Sequence, residues 1–460
     1  MWSIRGNTRS YIIRSWSVSW PMTLIMFFEF LIGLVDVYVA GKISKEVQAT
    51  YGLVIQFYFV MIIIANALTV GTVSVVSRLF TSGNQEERAD TIFSSLVGGG
   101  VAGLVMTVGG IIFSPQIITL LAIPQAVKIH AVPLIRLYAG GLFFHYLLIN
   151  SNGILRSCNR VKSSLTTMAV VCLANVGLNI LLVFHTPLGF KGIAAATASS
   201  VFLGSVMNLV HVRSFMTGRK RFSAILAKKM FHIGWPIGLL QVLWQAGSTA
   251  LFLILSQLPE HSVEILAAFT AGLRLESAIF LPVFGFNMAN AVIIGNLLGS
   301  EKREEAFHSG IVTAAIGVGI VTGMVILVIA NAEWIVSRLS DNDIVIRESV
   351  RYLYISMISE PFMAWGIILV GALNGAGDTR RVLLSIALSV WLVRIPLCYG
   401  SVVLLHFGPA SVWWTMNLSQ FVQAFLISKR YFGKKWLTGA PIPDQQTQKM
   451  GSSGNRGIKN

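Results

Sequence analysis

Two carboxylates stand where an apolar chain has little reason to keep them. Glu29 and Asp36 lie in a hydrophobic stretch from about Ser15 to Ala40. Seven residues apart, at ~3.6 residues per turn, they fall on one helical face two turns from each other. An ionisable side chain inside a bilayer costs several kcal/mol unless it is paired, neutralised or facing water. A carboxyl pair on an inward face can therefore exchange a proton or bind Na⁺ across the physiological range. The plainer alternative makes Asp36 an interfacial charge at the end of its span. Asn175 and Asn179, one turn apart, and Thr197, beside Ala194 to Ala196, add hard oxygen atoms. These either complete a Na⁺ shell on Asp36, Asn175, Asn179 and Thr197 or simply bridge packed helices.

A second set lies further along the chain: Arg274 and Glu276, Glu360 followed by Pro361, and Arg394 before Pro396, with Gln241 and Gln245 upstream. Either arginine can neutralise either glutamate as a structural ion pair, or the group can face a substrate. Arg136 and His145 read more simply as packing than as a proton relay. The chain has no HExxH, GxSxG, Walker A or strand-borne GxGxxG motif, so neither catalysis nor ATP drive is indicated, and any transport must draw on an ion gradient.

The elements that hold these groups follow from composition. Of 460 residues, 54% are hydrophobic and 12% charged, where a soluble domain carries roughly 25% charged. A mean hydropathy of +0.71 over 50.2 kDa makes lipid the solvent for most of the chain. An apolar span needs about 20 residues. About twelve fit, near 16 to 38, 51 to 79, 91 to 113, 131 to 155, 164 to 185, 190 to 214, 233 to 256, 263 to 297, 309 to 333, 351 to 374, 381 to 404 and 409 to 430. The expected fold is all-α and polytopic, with two pseudo-symmetric six-helix bundles. The first stretch is too long, and too acidic at Glu29 and Asp36, for a signal peptide of ~7 to 15 apolar residues, and reads as an uncleaved span. Cys158, Cys172 and Cys398 show no disulfide or zinc spacing.

The net charge of +16 is explained by topology rather than by nucleic acid. About 25 Lys and Arg outside the spans fall on the side of both termini and about 7 on the other, which places both termini in the cytoplasm. The densest cluster, Arg213, Arg219, Lys220, Arg221, Lys228 and Lys229, fits lipid headgroups or topology. The chain divides into an N-terminal lobe (1–218), a basic linker (219–230), a C-terminal lobe (231–432) and a disordered cytoplasmic tail (433–460).

Duplication organises the whole. Trp20-Pro21 recurs as Trp235-Pro236, and Glu86-Glu87-Arg88-Ala89 lies opposite Arg303-Glu304-Glu305-Ala306. Leu155 to Lys162 lies opposite Leu373 to Arg380, and Thr197 opposite Thr415. Four matches in one order, offset by roughly 215 to 220 residues, indicate parallel six-helix repeats with a substrate between them.

With LVDVYVAG (Leu34 to Gly41), ANVGLNILLVF (Ala174 to Phe184), LGFKGIAAATA (Leu188 to Ala198) and ALNGAGDTR (Ala372 to Arg380), residues 10 to 432 resemble multidrug and toxic compound extrusion (MATE) transporters, nearest to the DNA-damage-inducible prokaryotic branch. The resemblance implies alternating access in a prokaryotic cytoplasmic membrane. It implies export of small cationic amphipathic molecules in exchange for H⁺ or Na⁺, with Asp36 as coupling residue and Asn175 and Thr197 in the cation site. It implies no cofactor, no enzyme activity and no nucleic-acid partner; the protein is expected as a monomer among membrane lipids. Where relatives of this branch often carry an aspartate one turn after the asparagine, this chain has Asn179, and Glu29 is the candidate for the missing charge. The second-lobe site of other branches is half present, with Gln241 and Gln245 in helix seven and Glu360 in helix ten. A flippase for lipid-linked sugars, anchored by Arg274 and Arg394, is the alternative function; a membrane acyltransferase relying on His145 is a remote third.

Overall fold

The computed structural model describes residues 3–120, 124–218 and 220–438. It is built from helices, with no strand among the described residues. The first half contains α1 (Ser3–Ile43), α2 (Lys45–Ser82), α3 (Gln85–Leu120), α4 (Gln125–Ser157), α5 (Val161–Phe184) and α6 (Lys191–Arg213). The second contains α7 (Ala224–Leu255), α8 (Ser262–Gly299), α9 (Arg303–Ala330), the short α10 (Ala332–Ser337), α11 (Asp343–Ser356) and α12 (Glu360–Gly375). It closes with α13 (Thr379–Leu404) and α14 (Pro409–Phe432). Ten of these are long and apolar enough to cross a membrane, and α11 with α12, bent by 56°, add an eleventh if the pair is taken as one broken span. The last helix is long enough at 24 residues, but it carries Asn417, Gln420 and Gln423 buried against its neighbours, which lowers its apolarity.

Three expectations change in detail. The tenth span, drawn unbroken over 351–374, is interrupted after Ser356 and restarts at Glu360, because Pro361 has no N–H to give and fits only the first turn of a helix. Residues 224–230 of the expected linker are already the start of α7, capped by the Ser223 hydroxyl, which accepts from the Leu226 N–H. The expected tail is ordered from 433 through Thr438. There Lys435–Thr438 form one 3₁₀ turn and buried Trp436 donates its indole N–H to the Tyr431 carbonyl at 2.8 Å. The rest of that segment, and Arg219, lie outside the described residues.

Between the halves, α1 packs on α8 and α7 packs on α2, while α2 and α8 meet each other. Each contact thus has its counterpart with the repeats exchanged, as a two-fold arrangement of duplicated bundles requires. Lipid supplies no hydrophobic drive for such packing, so close backbone approach and hydrogen bonds must hold it. A Cβ on Gly71 would fall on the Met230 carbonyl, and one on Gly234 on the Ala67 carbonyl; only glycine permits α2 and α7 to lie this near.

Polar contacts between the halves gather toward the end that carries both termini. The Ser74 hydroxyl donates to the Gly375 carbonyl at 3.2 Å, Arg78 donates to the Ala376 carbonyl, and the Thr81 hydroxyl donates to the Asn296 carbonyl at 2.7 Å. At the surface, Arg14 pairs with Glu305 across the halves at 3.3 Å, while the neighbouring Lys302–Glu305 pair at 3.1 Å and Lys434–Glu304 pair at 3.3 Å lie within the second half. The periphery exposes many large apolar side chains, among them Leu173 at 73% and Val210 at 67%, as a lipid-facing surface does.

Candidate functional site

Asp36 sits near the far end of α1, 2% exposed. α5 presents Asn175 and Asn179 one turn apart, α6 presents Thr197, and α4 presents Tyr138, all buried. The small residues Gly192, Ala194 and Ala196 let α6 lie against its neighbours; a Cβ at Gly192 would collide with the α5 backbone at Leu182 and Val183.

Four side chains close a hydrogen-bonded ring. Asn179 donates Nδ2 to Asp36 Oδ1 at 2.7 Å and to Asn175 Oδ1 at 3.1 Å; Asn175 donates Nδ2 to Thr197 Oγ1 at 3.2 Å; Thr197 donates its hydroxyl to Asp36 Oδ2 at 3.0 Å. Tyr138 adds a longer bond to the same Oδ2 at 3.4 Å. Every donor to Asp36 is neutral, and no Lys, Arg or His forms an ion pair with it among the described residues. A buried carboxylate so arranged has hydrogen bonds but no counter-charge, which is the expensive part of burial. One acceptor is left over: Asn179 Oδ1 is buried without a hydrogen-bond partner. No three His, Cys, Asp or Glu side chains cluster as a metal site among the described residues, so an ion held here would meet carboxylate, amide and hydroxyl oxygens.

Glu29 is not part of this ring. It is exposed, forms no hydrogen bond among the described residues, and its electrostatic partner is Arg156 on α4. Seven residues at ~1.5 Å each keep it about 10 Å along α1 from Asp36, too far to serve as a ligand beside Asn179. Arg156 is itself 6% exposed and bridges the halves, donating Nη1 to Met288 Sδ at 2.8 Å and Nε to the Asn152 carbonyl at 3.1 Å.

What the sequence reading missed is aromatic. Tyr138 lies tilted against Tyr58, with ring centroids 4.9 Å apart, and meets Tyr51 edge-on at 6.5 Å. The Tyr58 hydroxyl shares a 2.6 Å hydrogen bond with His145 Nδ1, so His145 is a bonded neighbour of this wall. The seven-residue spacing of Tyr51 and Tyr58, two phenols on one face of α2, was the available signal.

The second half gathers its own group. Tyr352 on α11 donates to Glu276 Oε1 on α8 at 2.6 Å. Glu360, at the start of α12, is fully buried with both carboxyl oxygens unpartnered. Arg394 lies in the same electrostatic neighbourhood, yet its Nε donates to the Ser419 hydroxyl at 2.7 Å, its Nη2 has no partner, and its guanidinium lies over the Trp244 ring at 5.9 Å. The expected ion pair of Arg274 or Arg394 with Glu276 or Glu360 therefore does not form: neither arginine makes one among the described residues, and Arg274 is exposed. Gln245 is exposed; Gln241 is half-buried with Oε1 unpartnered.

Comparison with known proteins agrees with this architecture. The MatE family model matches the chain twice, over residues 21–181 and 236–400, one match in each repeat. Among curated relatives, the uncharacterized transporter YisQ of Bacillus subtilis is 18% identical over 438 residues, covering 92% of this chain and 94% of its own. A probable multidrug resistance protein NorM of Rhodopseudomonas palustris is 23% identical over 442 residues, with 92% of each covered. Among solved structures, the bent form of the Vibrio cholerae MATE transporter VcmN superposes with a TM-score of 0.86 at 19% identity, covering 94% of this chain and 98% of that one. A MOP superfamily transporter from Pyrococcus furiosus, described for the reverse polarity of its binding pocket, gives 0.85 at 18%, covering 94% and 97%.

Proposed function

The chain belongs to the MatE family of membrane transporters, and from that membership we propose that it is a secondary antiporter exporting small organic cations in exchange for H⁺ or Na⁺, with Asp36 as the coupling group. The observation that carries the proposal is the Asp36 carboxylate, buried and met by neutral donors alone. A proton or a monovalent cation supplies the charge this ring lacks. Once Asp36 is neutralised, its bonds to Asn179 and Thr197 weaken, and α1 is freer to shift against α5 and α6. Affinity for a cationic substrate between the halves then falls. Asn179 Oδ1, without a partner, is available as an ion ligand.

The lobes that move are the duplicated halves, 1–218 and 231–432, in the cytoplasmic membrane with both termini inside. The end at which they meet is then the cytoplasmic one. A monomer suffices, and the branch nearest in character is the DNA-damage-inducible one, whose first-helix aspartate Asp36 matches. Exchange by competition at one carboxylate, one positive charge in for one out, is electroneutral, so it draws on the concentration gradient of the coupling ion, about 1.4 kcal/mol per tenfold.

The test is uptake of a fluorescent lipophilic cation into proteoliposomes under an imposed pH gradient and, separately, an imposed Na⁺ gradient, comparing the wild type with Asp36→Asn. The asparagine keeps the shape and most of the hydrogen bonds while removing the charge. Wild-type accumulation under one gradient, falling in the variant to the level of protein-free vesicles, supports the reading and identifies the ion. Undiminished accumulation by the variant refutes the coupling role.

A further inference from the structure

On the outer face of the first half, α3 and α4 leave a groove of about 430 Å³ between Phe93, Val97 and Leu104 on one side and Phe143 and Leu147 on the other. Its lining is almost wholly apolar. Val101 and Leu104, which border it, are 58% and 53% exposed, as side chains that meet acyl chains are. Along α3 it runs from Phe93 to Leu104, about 16 Å at 1.5 Å per residue.

One end of this groove is different. There the connection from α6 to α7 folds down over the first turns of α3. The Arg221 N–H donates to Asp90 Oδ1 at 2.9 Å, and the Ser223 N–H donates to the Ser94 hydroxyl at 2.8 Å. These two bonds fix the connection beside the groove, with Met216 and Lys220 as part of its lining. Lys220 is exposed and has no ion-pair partner among the described residues. Asp90, the nearby acid, already accepts a bond from the chain.

The geometry points to a specific site for one anionic phospholipid, its acyl chain lying in the α3–α4 groove and its phosphate on Lys220. Charge complementarity selects the occupant: a cation at the polar end, a row of apolar side chains leading toward the bilayer interior, and a groove open to lipid. A zwitterionic lipid fills the apolar part equally well and also presents a phosphate, but its own ammonium offsets that charge, so it gains less from Lys220 than a lipid with net negative charge. A basic side chain near an anionic membrane surface contributes ~1 kcal/mol, or about fivefold in affinity. The connection that carries Lys220 is also the join between the two halves, so an occupied site braces that join against the first half. The site does not depend on the antiport reading.

Full-length protein would be titrated with phosphatidylglycerol and with phosphatidylcholine of the same chain length, and the lipid retained on the intact protein counted by native mass spectrometry. The wild type is expected to retain phosphatidylglycerol several-fold better. Lys220→Gln should lower phosphatidylglycerol retention about fivefold and phosphatidylcholine retention by clearly less. Gly100→Leu should lower retention of both, because a Cβ at Gly100 has ordinary contacts with Phe143 and Leu147 at 3.6 and 3.8 Å, and a longer side chain there fills the groove. Both variants are compared at a melting temperature matched to the wild type. Equal retention of the two lipids by the wild type, meaning annular lipid only, overturns the site, as does unchanged phosphatidylglycerol retention in Lys220→Gln.

Discussion

Asp36 uses its hydrogen-bonding capacity on one amide, one hydroxyl and one phenol, and that choice decides what a substitution nearby will do. Asn179 donates to both Asp36 and Asn175, so it is the hinge of the ring. Replacing it with aspartate sets two carboxyls within hydrogen-bond distance, and two such groups cannot both stay charged without a shared proton or a bound cation. Asn179→Asp is therefore expected to raise Na⁺-driven transport severalfold relative to pH-driven transport in the same vesicles; an unchanged ratio counts against an ion at this ring. Asp36, Asn175, Asn179 and Thr197 were legible as members because each is a polar residue in an apolar run, where lipid leaves no bland place for it. Tyr138 was not, because a phenol passes for one more apolar residue until its hydroxyl finds a partner. Arg78 and Arg156, each near the end of a helix, reach across to the other half, and no motif in the sequence marks either for that role.

At the level of the elements, the bend between α11 and α12 does the positioning in the second half. It puts Tyr352 on one limb and Glu360 on the other, and the Ser359 hydroxyl at the corner lies 2.7 Å from both Asn417 Oδ1 and Gln420 Oε1 of α14. Pro361 announces a helix start, but an apolar run of normal length conceals the corner, because hydropathy averages over both limbs. The other limb of the site depends on Gly272 of α8, one turn before Glu276, where a Cβ would land on the Tyr352 ring. Gly272→Val is expected to displace that ring from Glu276 and to cost ~1 to 3 kcal/mol as an overpacked contact, read as a lower melting temperature in detergent. A variant that melts with the wild type would show that Tyr352 can move aside freely.

Across the whole molecule, the exchange of contacts between repeats, α1 on α8 and α7 on α2, was foreshadowed by the offset of the matched motifs. What no motif foretold is where the halves touch, since that depends on backbone approach at glycines and on carbonyl acceptors that any sequence possesses. If the halves must separate at the closed end during transport, tying them there stops the cycle. In a background lacking Cys158, Cys172 and Cys398, all free and buried, Thr81→Cys with Asn296→Cys, bridged by a short reducible bifunctional thiol reagent, is expected to abolish transport and to recover it on reduction. Full cross-linking with undiminished transport would contradict that motion. The same end has a practical side. Neighbouring acids at the start of α9 take one contact from each end of the chain, Glu305 from Arg14 and Glu304 from Lys434. Lys434 and Glu304 belong to the same half, so a handle fused beyond Thr438 hangs next to the acid, Glu305, that Arg14 reaches across the seam. A fluorophore placed there would lie beside the Arg14–Glu305 contact and report its separation, whereas one fused ahead of Arg14 would sit on the other half.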